Sequence, residues 1–261
     1  MRVLLAQHGG TTRPPIPPWP PAGSGELDDA ALAGLYAYPR ERWLRANFVS
    51  SADGAGFLDG LSAGLSSDDD RRLFGMLRVL ADVVLVGAGT ARAEKYKPAR
   101  RPRKELAAFR AGRPPTPPIA LVSRMLDLDL ESPLFAAAPA DARTIVITCE
   151  ASSASRRASV AAVADVIVAG GEAVDLTEAV TALAGRGLGR VLCEGGPNLL
   201  AHVAVAGLLD ELCLTVSPLL AGPGPHRIIE GVLLPTALPM TLAHVLEADG
   251  FLFCRYLTAD S

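Results

Sequence analysis

The chain has 261 residues, 49% hydrophobic, 20% charged and 5% aromatic, with 25 basic and 28 acidic side chains and a net charge of −3. So apolar a chain is not mostly disordered, and its length allows one large domain or two small ones. The charge balance argues against a broad nucleic-acid surface, which needs clustered Lys and Arg.

Proline is over-represented: 21 residues, about 8% against a usual ~5%. Ten of them fall in two tracts, Pro14–Pro21 and Pro114–Pro118. Residues 1–25 carry the first tract without periodicity and read as an extended lead-in over the surface. The opening Met1-Arg2-Val3-Leu4-Leu5-Ala6 turns polar at Gln7-His8, too soon for a signal-peptide core. With no apolar run near the ~20 residues that span a bilayer, the expectation is a cytoplasmic protein.

Glu26–Tyr38 reads as a short helix through Leu27, Leu32 and Leu35. Trp43–Ser50 alternates like a strand, and Asp53-Gly54 turns it. Ser66-Ser67-Asp68-Asp69-Asp70 then starts a capped, acid-led helix with Leu73, Met76, Leu77 and Leu80 on one face. Val83–Val86, Ile119–Val122, Thr144–Ile147, Val166–Val168 and Arg190–Cys193 are short apolar runs, as strands buried on both faces should be. Helices over Ser153–Ala164, Leu176–Ala184 and Pro197–Ala206 separate them. Such alternation predicts an α/β fold with a mostly parallel central sheet flanked by helices. Asp210–Ser217 reads as a further strand, and His244–Ala248 and Phe251–Leu257 flank Asp249-Gly250 as a C-terminal antiparallel hairpin. Because strands continue on both sides of Pro114–Pro118, that tract reads as an internal connection.

Ligands of open α/β sheets gather at the carboxyl ends of the parallel strands. Those ends carry Gly87-Ala88-Gly89-Thr90, Ser123-Arg124, Thr148 and Glu194-Gly195-Gly196-Pro197-Asn198. The last is either a tight strand-to-helix turn or a place where backbone meets a phosphate at a helix start. Gly87–Thr90, read alone, is a structural turn; Arg92 breaks the Gly-x-Gly-x-x-Gly fingerprint. Ser123-Arg124 is a surface pair or a hydroxyl and guanidinium for a 2′-phosphate. Asp53 is a turn residue on spacing. Glu194, one residue past an apolar strand, needs a hydrogen-bond donor from protein or substrate.

The short basic run Arg100-Arg101-Pro102-Arg103-Lys104 reads as a solvated face. Cys149, Cys193, Cys213 and Cys254 have no close pairing, so reduced core thiols and no metal site are expected. His8, His202, His226 and His244 have no partner at catalytic spacing, and no Gly-x-Ser-x-Gly elbow is present.

Asn47–Gly54, Ser66…Asp70-Arg71-Arg72 with Leu77-Arg78, Ala81–Thr90, Glu194-Gly195-Gly196-Pro197, Asp210-Glu211-Leu212 and Ser217–Gly222 together resemble the reductase domain of bacterial riboflavin biosynthesis, the RibD C-terminal domain family. The ordered match covers residues 42–257. The resemblance implies a dihydrofolate-reductase-like fold, NADPH as hydride donor, and a homodimer. It divides the chain into a lead-in with a short helix over 1–41 and a single reductase domain over 42–261. The family reaction reduces a 5-amino-6-(ribosylamino)uracil phosphate, in ring-opened imine form, to the ribitylamino compound.

By position the resemblance assigns Gly87, Thr90, Ser123, Arg124, Thr148, Gly195, Gly196, Pro197, Asn198 and Leu199 to NADPH. It turns Asp53, Ser66, Arg72 and Glu194 toward the substrate: Arg72 to its phosphate, Asp53 or Glu194 to the pyrimidine or the protonated imine. The zinc-deaminase signature often fused to such domains is missing, so a stand-alone reductase is expected. The family's Leu-Ala-Asp-Asp-Pro after Gly-Thr is replaced by Ala91-Arg92-Ala93-Glu94-Lys95-Tyr96-Lys97-Pro98, and the 64–70 region is short and lacks a tryptophan. Both departures bear on the substrate. A dihydrofolate or pterin reductase and a non-catalytic NADPH-binding regulator are the alternatives.

Overall fold

In a computed structural model of the chain the described residues are 1–6, 25–224 and 227–259. The tract Pro14–Pro21, His8 and His226 lie outside them. In chain order the elements are β1 (Arg2–Ala6), α1 (Asp29–Leu35), β2 (Trp43–Ser51), α2 (Asp68–Leu80), β3 (Val83–Gly87), α3 (Ala88–Ala93) and α4 (Lys104–Ala107). There follow β4 (Ile119–Val122), α5 (Pro133–Ala136), β5 (Ile145–Thr148), α6 (Ala154–Val163), β6 (Asp165–Val168) and α7 (Leu176–Gly185). The chain closes with β7 (Arg190–Cys193), α8 (Pro197–Val205), β8 (Glu211–Ser217), β9 (Met240–Ala248) and β10 (Phe251–Thr258).

These strands form one sheet in the order β1-β9-β10-β8-β2-β7-β3-β4-β5-β6. From β8 to β6 every neighbouring pair is parallel, while β8, β10, β9 and β1 pair antiparallel. This is the expected α/β architecture, a parallel centre finished by an antiparallel hairpin. The central strands bury both faces: Val84 and Val86 of β3 pack on the α1–α2 side, Val83 and Leu85 on the α7–α8 side. The Pro114–Pro118 tract leads straight into β4, its Pro118 carbonyl accepting from Val84 N at 3.0 Å.

Local signals place the helices. Asp28 accepts from Ala31 N at 2.7 Å and starts α1 three residues later than its apolar spacing suggests. Ser67 caps α2 through Asp70 N, with three aspartates in the first turn as the helix dipole favours. Among the strands, one departs from the sequence reading. Arg2–Ala6, read as part of an aperiodic lead-in, is an edge strand on β9, with Arg2 opposite Glu247. Met1 and Val3 are buried in the same core as Leu32 and Leu77. The four cysteines are buried free thiols, and burial pushes Cys193 up to about 12. Among the described residues no helix is long and apolar enough to cross a membrane.

At the junction of the parallel and antiparallel parts lies a buried ionic node. Glu211 of β8 accepts from Arg45 Nε of β2 at 2.6 Å, Arg255 Nε of β10 at 2.8 Å and Trp43 Nε1 at 2.8 Å. The two guanidiniums also reach back to the end of α1, Arg45 to Tyr36 O and Arg255 to Leu35 O, each at 2.7 Å. They thereby satisfy carbonyls that a helix end leaves open. Burial alone would raise the Glu211 carboxyl; the flanking arginines outweigh it and hold it well below the usual carboxylate range.

Removing the negative charge strands two buried cations, so Glu211→Gln is expected to lower the unfolding free energy at neutral pH by about 3–5 kcal/mol. A depressed folded-state pKa stabilises above the unfolded value and ceases to as the carboxylate is protonated. The gap between wild type and variant should therefore be constant above about pH 4.3 and narrow below it. Urea unfolding at a series of pH values measures both.

Candidate active site

The carboxyl ends of β2 and β7 open into a cavity of about 960 Å³, within the range of small-molecule sites. Asn47, Phe48 and Val49 of β2 and Glu194, Gly196 and Pro197 after β7 line one side. Helix α2 and residues 94–117 line the other, with Gly56, Phe57, Ser62 and Ala63 at the edge. In a chain so poor in aromatics, Phe48, Phe57, Phe74 and Tyr96 all reach this one cavity. Together they offer flat apolar surface to a planar ring.

Glu194 is the best-anchored charge in the cavity. Arg78 of α2 grips it as a fork, Nε to Oε1 and Nη2 to Oε2, both at 2.7 Å, and the Tyr96 hydroxyl donates to Oε2 at 2.7 Å. Arg78 in turn lies against the Phe74 ring at 4.4 Å. Burial works against the Arg78 charge, but Glu194 outweighs it and keeps the guanidinium protonated. Burial and the neighbouring carboxylate raise the Tyr96 phenol well above its ordinary value, so it stays a donor. The donors that Glu194 requires thus come from the protein.

The other cations at the cavity divide into two groups. Arg71 pairs with Asp68, Arg72 and Arg103 with Asp29, and Arg110 donates to Pro114, Val79 and Ala81 carbonyls. Lys95, Lys97, Arg100 and Arg101 are exposed at the cavity and have no acidic partner among the described residues. Among the described residues none of these four cations is ion-paired.

Beside the cavity lie the ends of β3, β4 and β5, next to that of β7. Gly87 N donates to Gly195 O at 2.7 Å and Ser123 N to Ile147 O at 2.9 Å, locking neighbouring strand ends together. At Gly196 a Cβ would run into the Thr90 hydroxyl, and at Gly195, with φ +86°, it would lie 2.7 Å from the Phe48 ring. Only glycine lets the chain pass here. Helix α8 starts at once, with Pro197 at its first position and no side-chain cap on its open amides. Arg124 is exposed, and its guanidinium has no ion-pair partner among the described residues. The uncapped start of α8 after β7 and the exposed Arg124 after β4, with β3 between them, put backbone amides and a guanidinium at the same end of the sheet, groups suited to phosphate.

Residues 42–250 match the family model described as the RibD C-terminal domain. The chain belongs to the RibD C-terminal domain family. Two curated relatives are each named 2,5-diamino-6-ribosylamino-4(3H)-pyrimidinone 5′-phosphate reductase. The protein from Methanothermobacter thermautotrophicus is 29% identical over 168 residues, 64% of this chain and 74% of that one. The Archaeoglobus fulgidus protein is 29% identical over 164 residues, 60% of this chain and 71% of that one. Among solved structures, a pyrimidine reductase-like protein from Corynebacterium diphtheriae superposes with a TM-score of 0.76 at 29% identity, covering 83% of this chain and 92% of that one.

Within this RibD-family fold, the residues singled out in the sequence separate clearly. Ser66, Thr90, Arg72, Glu194, Gly196 and Pro197 line the large cavity. Gly87, Ser123, Arg124, Thr148, Gly195, Asn198 and Leu199 lie at the strand ends beside it. Thr148 is fully buried, its hydroxyl on Arg124 O at 3.4 Å, and the Ser123 hydroxyl accepts from Leu126 N at 3.1 Å. Ser66 donates to Asp70 at 2.6 Å, and Asp70 also takes the Thr215 hydroxyl of β8 at 2.7 Å.

Two substrate assignments meet competing contacts. The Arg72 guanidinium is held by Asp29 at 2.8 and 2.9 Å and by Leu27 O at 2.9 Å, so its charge is already matched. Asp53 is not among the lining residues. It accepts from the Ser51 hydroxyl, from Ala221 N at 3.0 Å and from Gly222 N at 2.8 Å, contacts that hold its carboxyl down at about 2. That is the turn role its spacing suggests. Motif position gives Arg78 and Tyr96 no role: the first falls in the Leu77-Arg78 pair and the second in the Ala91–Pro98 run that departs from the family pattern. The Arg100–Lys104 run, read as a solvated face, places Arg100, Arg101 and Arg103 on the cavity.

If Asp53 clamps the segment after β8, Asp53→Ala should speed hydrogen exchange at the Ala221 and Gly222 amides by tenfold or more, while exchange in β2 and β8 is unchanged. Mass spectrometry of the 217–224 peptides provides the readout.

Proposed function

We propose that the protein is an NADPH-dependent reductase of a ribosylaminopyrimidine 5′-phosphate in riboflavin biosynthesis, acting on a ring-opened imine. The observation that carries this reading is the single cavity that joins an anchored carboxylate, aromatic walls and a rim of uncompensated cations to the double-glycine strand end. A heterocyclic monophosphate presents the matching groups: a flat ring, ring and amino N–H donors, and a dianion. The names of the two archaeal relatives point to the 2,5-diamino pyrimidinone as the first substrate to try, beside the 5-aminouracil that the family resemblance implies.

A pathway reductase of this kind uses a nicotinamide cofactor, and NADPH is the form supported by the exposed Arg124 after β4. Arg124 and the Ser123 hydroxyl would hold the 2′-phosphate, and the open amides of α8 would bind the pyrophosphate. When bound, the cofactor supplies the hydride. The remaining work is positional. Phe48, Phe57 and Phe74 flank the ring, Glu194 accepts an N–H from it, and Lys95, Lys97, Arg100 and Arg101 draw in and hold the phosphate. A cytoplasmic homodimer is part of the reading. It is supported by the face of β8–β10 where Leu214, Val216, Leu252 and Tyr256 are only half-buried.

Two experiments follow. NADPH oxidation is followed with the 2,5-diamino pyrimidinone phosphate, the 5-aminouracil phosphate and dihydrofolate. Turnover of either pyrimidine nucleotide is expected; turnover of dihydrofolate alone, or tight NADPH binding with no turnover, refutes the proposal. Separately, Arg124→Ala removes charge-assisted hydrogen bonds each of about 1.5–3 kcal/mol. It should weaken NADPH binding by roughly tenfold to a hundredfold and leave NADH binding unchanged; equal losses take Arg124 away from the 2′-phosphate.

A further inference from the structure

Tyr96 belongs to the run that stands where the family pattern has Leu-Ala-Asp-Asp-Pro, and its placement is specific. Helix α3 ends on two reversed hydrogen bonds, Tyr96 N to Ala91 O at 2.8 Å and Lys95 N to Arg92 O at 3.2 Å. Lys95 sits between them at φ +50°, a conformation that glycine adopts more readily. This end turns the chain so that Lys95 and Lys97 are exposed at the cavity mouth while Tyr96 points inward. Its ring centre is 5.5 Å from the Arg78 guanidinium, and its hydroxyl meets Glu194.

Counting acceptors gives the consequence. An ionised carboxylate has about four lone-pair positions. Arg78 takes one on each oxygen of Glu194, which fixes the carboxylate plane, and Tyr96 takes the second position on Oε2. We propose that Tyr96 is a positioning residue that leaves Glu194 one acceptor position, on Oε1, for a single N–H of the bound heterocycle. This inference rests on the pyrimidine-reductase reading above. It adds a residue that acts through Glu194 and gives the altered run a task in recognising the ring.

The test is a double-mutant cycle on the full chain with Tyr96→Phe, Glu194→Gln and the pair. It reads kcat and KM for the pyrimidine nucleotide that the wild type reduces, the Kd for NADPH, and the melting temperature. Tyr96→Phe should lower kcat/KM about tenfold, with NADPH affinity and melting temperature unchanged. In the Glu194→Gln background the same change should cost less than twofold, because the hydroxyl then has no carboxylate to hold. Equal losses in both backgrounds, or no loss in either, overturn the proposal. So does a loss that comes with weaker NADPH binding or a lower melting temperature, which marks a merely structural tyrosine. A wild type that reduces neither pyrimidine brings down the functional reading first, and this inference with it, before any variant is measured.

Discussion

Glu211 and its two arginines hold together parts of the chain that no local preference would join. One carboxylate, fully buried, binds guanidiniums from β2 and β10, and those guanidiniums close the end of α1. Burying three charges is costly unless each is matched, and here every charge also makes hydrogen bonds to the others or to helix carbonyls. The result sets the register of β2 between the parallel strands and β8. It is β2 that carries Asn47, Phe48 and Val49 to the cavity floor.

From that fixed strand the site is assembled by one helix. Near its start, α2 is tied to β8 by Asp70, which takes the Thr215 hydroxyl; toward its end it is tied to the β7 terminus by Arg78, which takes Glu194. Arg72 between them anchors α1's first turn through Asp29. The helix that walls the cavity is therefore stitched to the sheet on both sides of it. Its polar residues serve the frame and the site at once, which is why motif position alone did not separate the two uses.

Most of the architecture was legible because each buried strand is a short β-branched run and each long helix declares its start with Ser67, Ser153, Asp175 or Pro197. The strand ends were legible as a place where chemistry gathers, through the glycines at 195 and 196. What stayed hidden was pairing across long separations. The partner of Arg72 is 43 residues away and that of Arg78 is 116 away, so neither the matched charge nor the anchored carboxylate can be read from neighbours. The basic run from Arg100 looks the same in sequence on a solvated loop or at a cavity mouth. Arg2–Ala6 is too short to show a period, and what makes it a strand is β9.

That edge strand bears on how the molecule comes together. Arg2 meets Glu247 across a sequence separation of 245 residues, and β2 finds its neighbours only in β7 and β8. Contacts so far apart are closed late and slowly, because the loop entropy is lost before the pairing is gained. On the ribosome, β1 and β2 leave the tunnel long before the strands that flank them exist. Their apolar faces, Val3 and Leu44 among them, must wait uncovered until those distant strands emerge, an interval in which a nascent chain is prone to aggregate. The hairpin of β9 and β10 forms locally at the end of that wait, and its arrival supplies the last edge on which the early strand can settle.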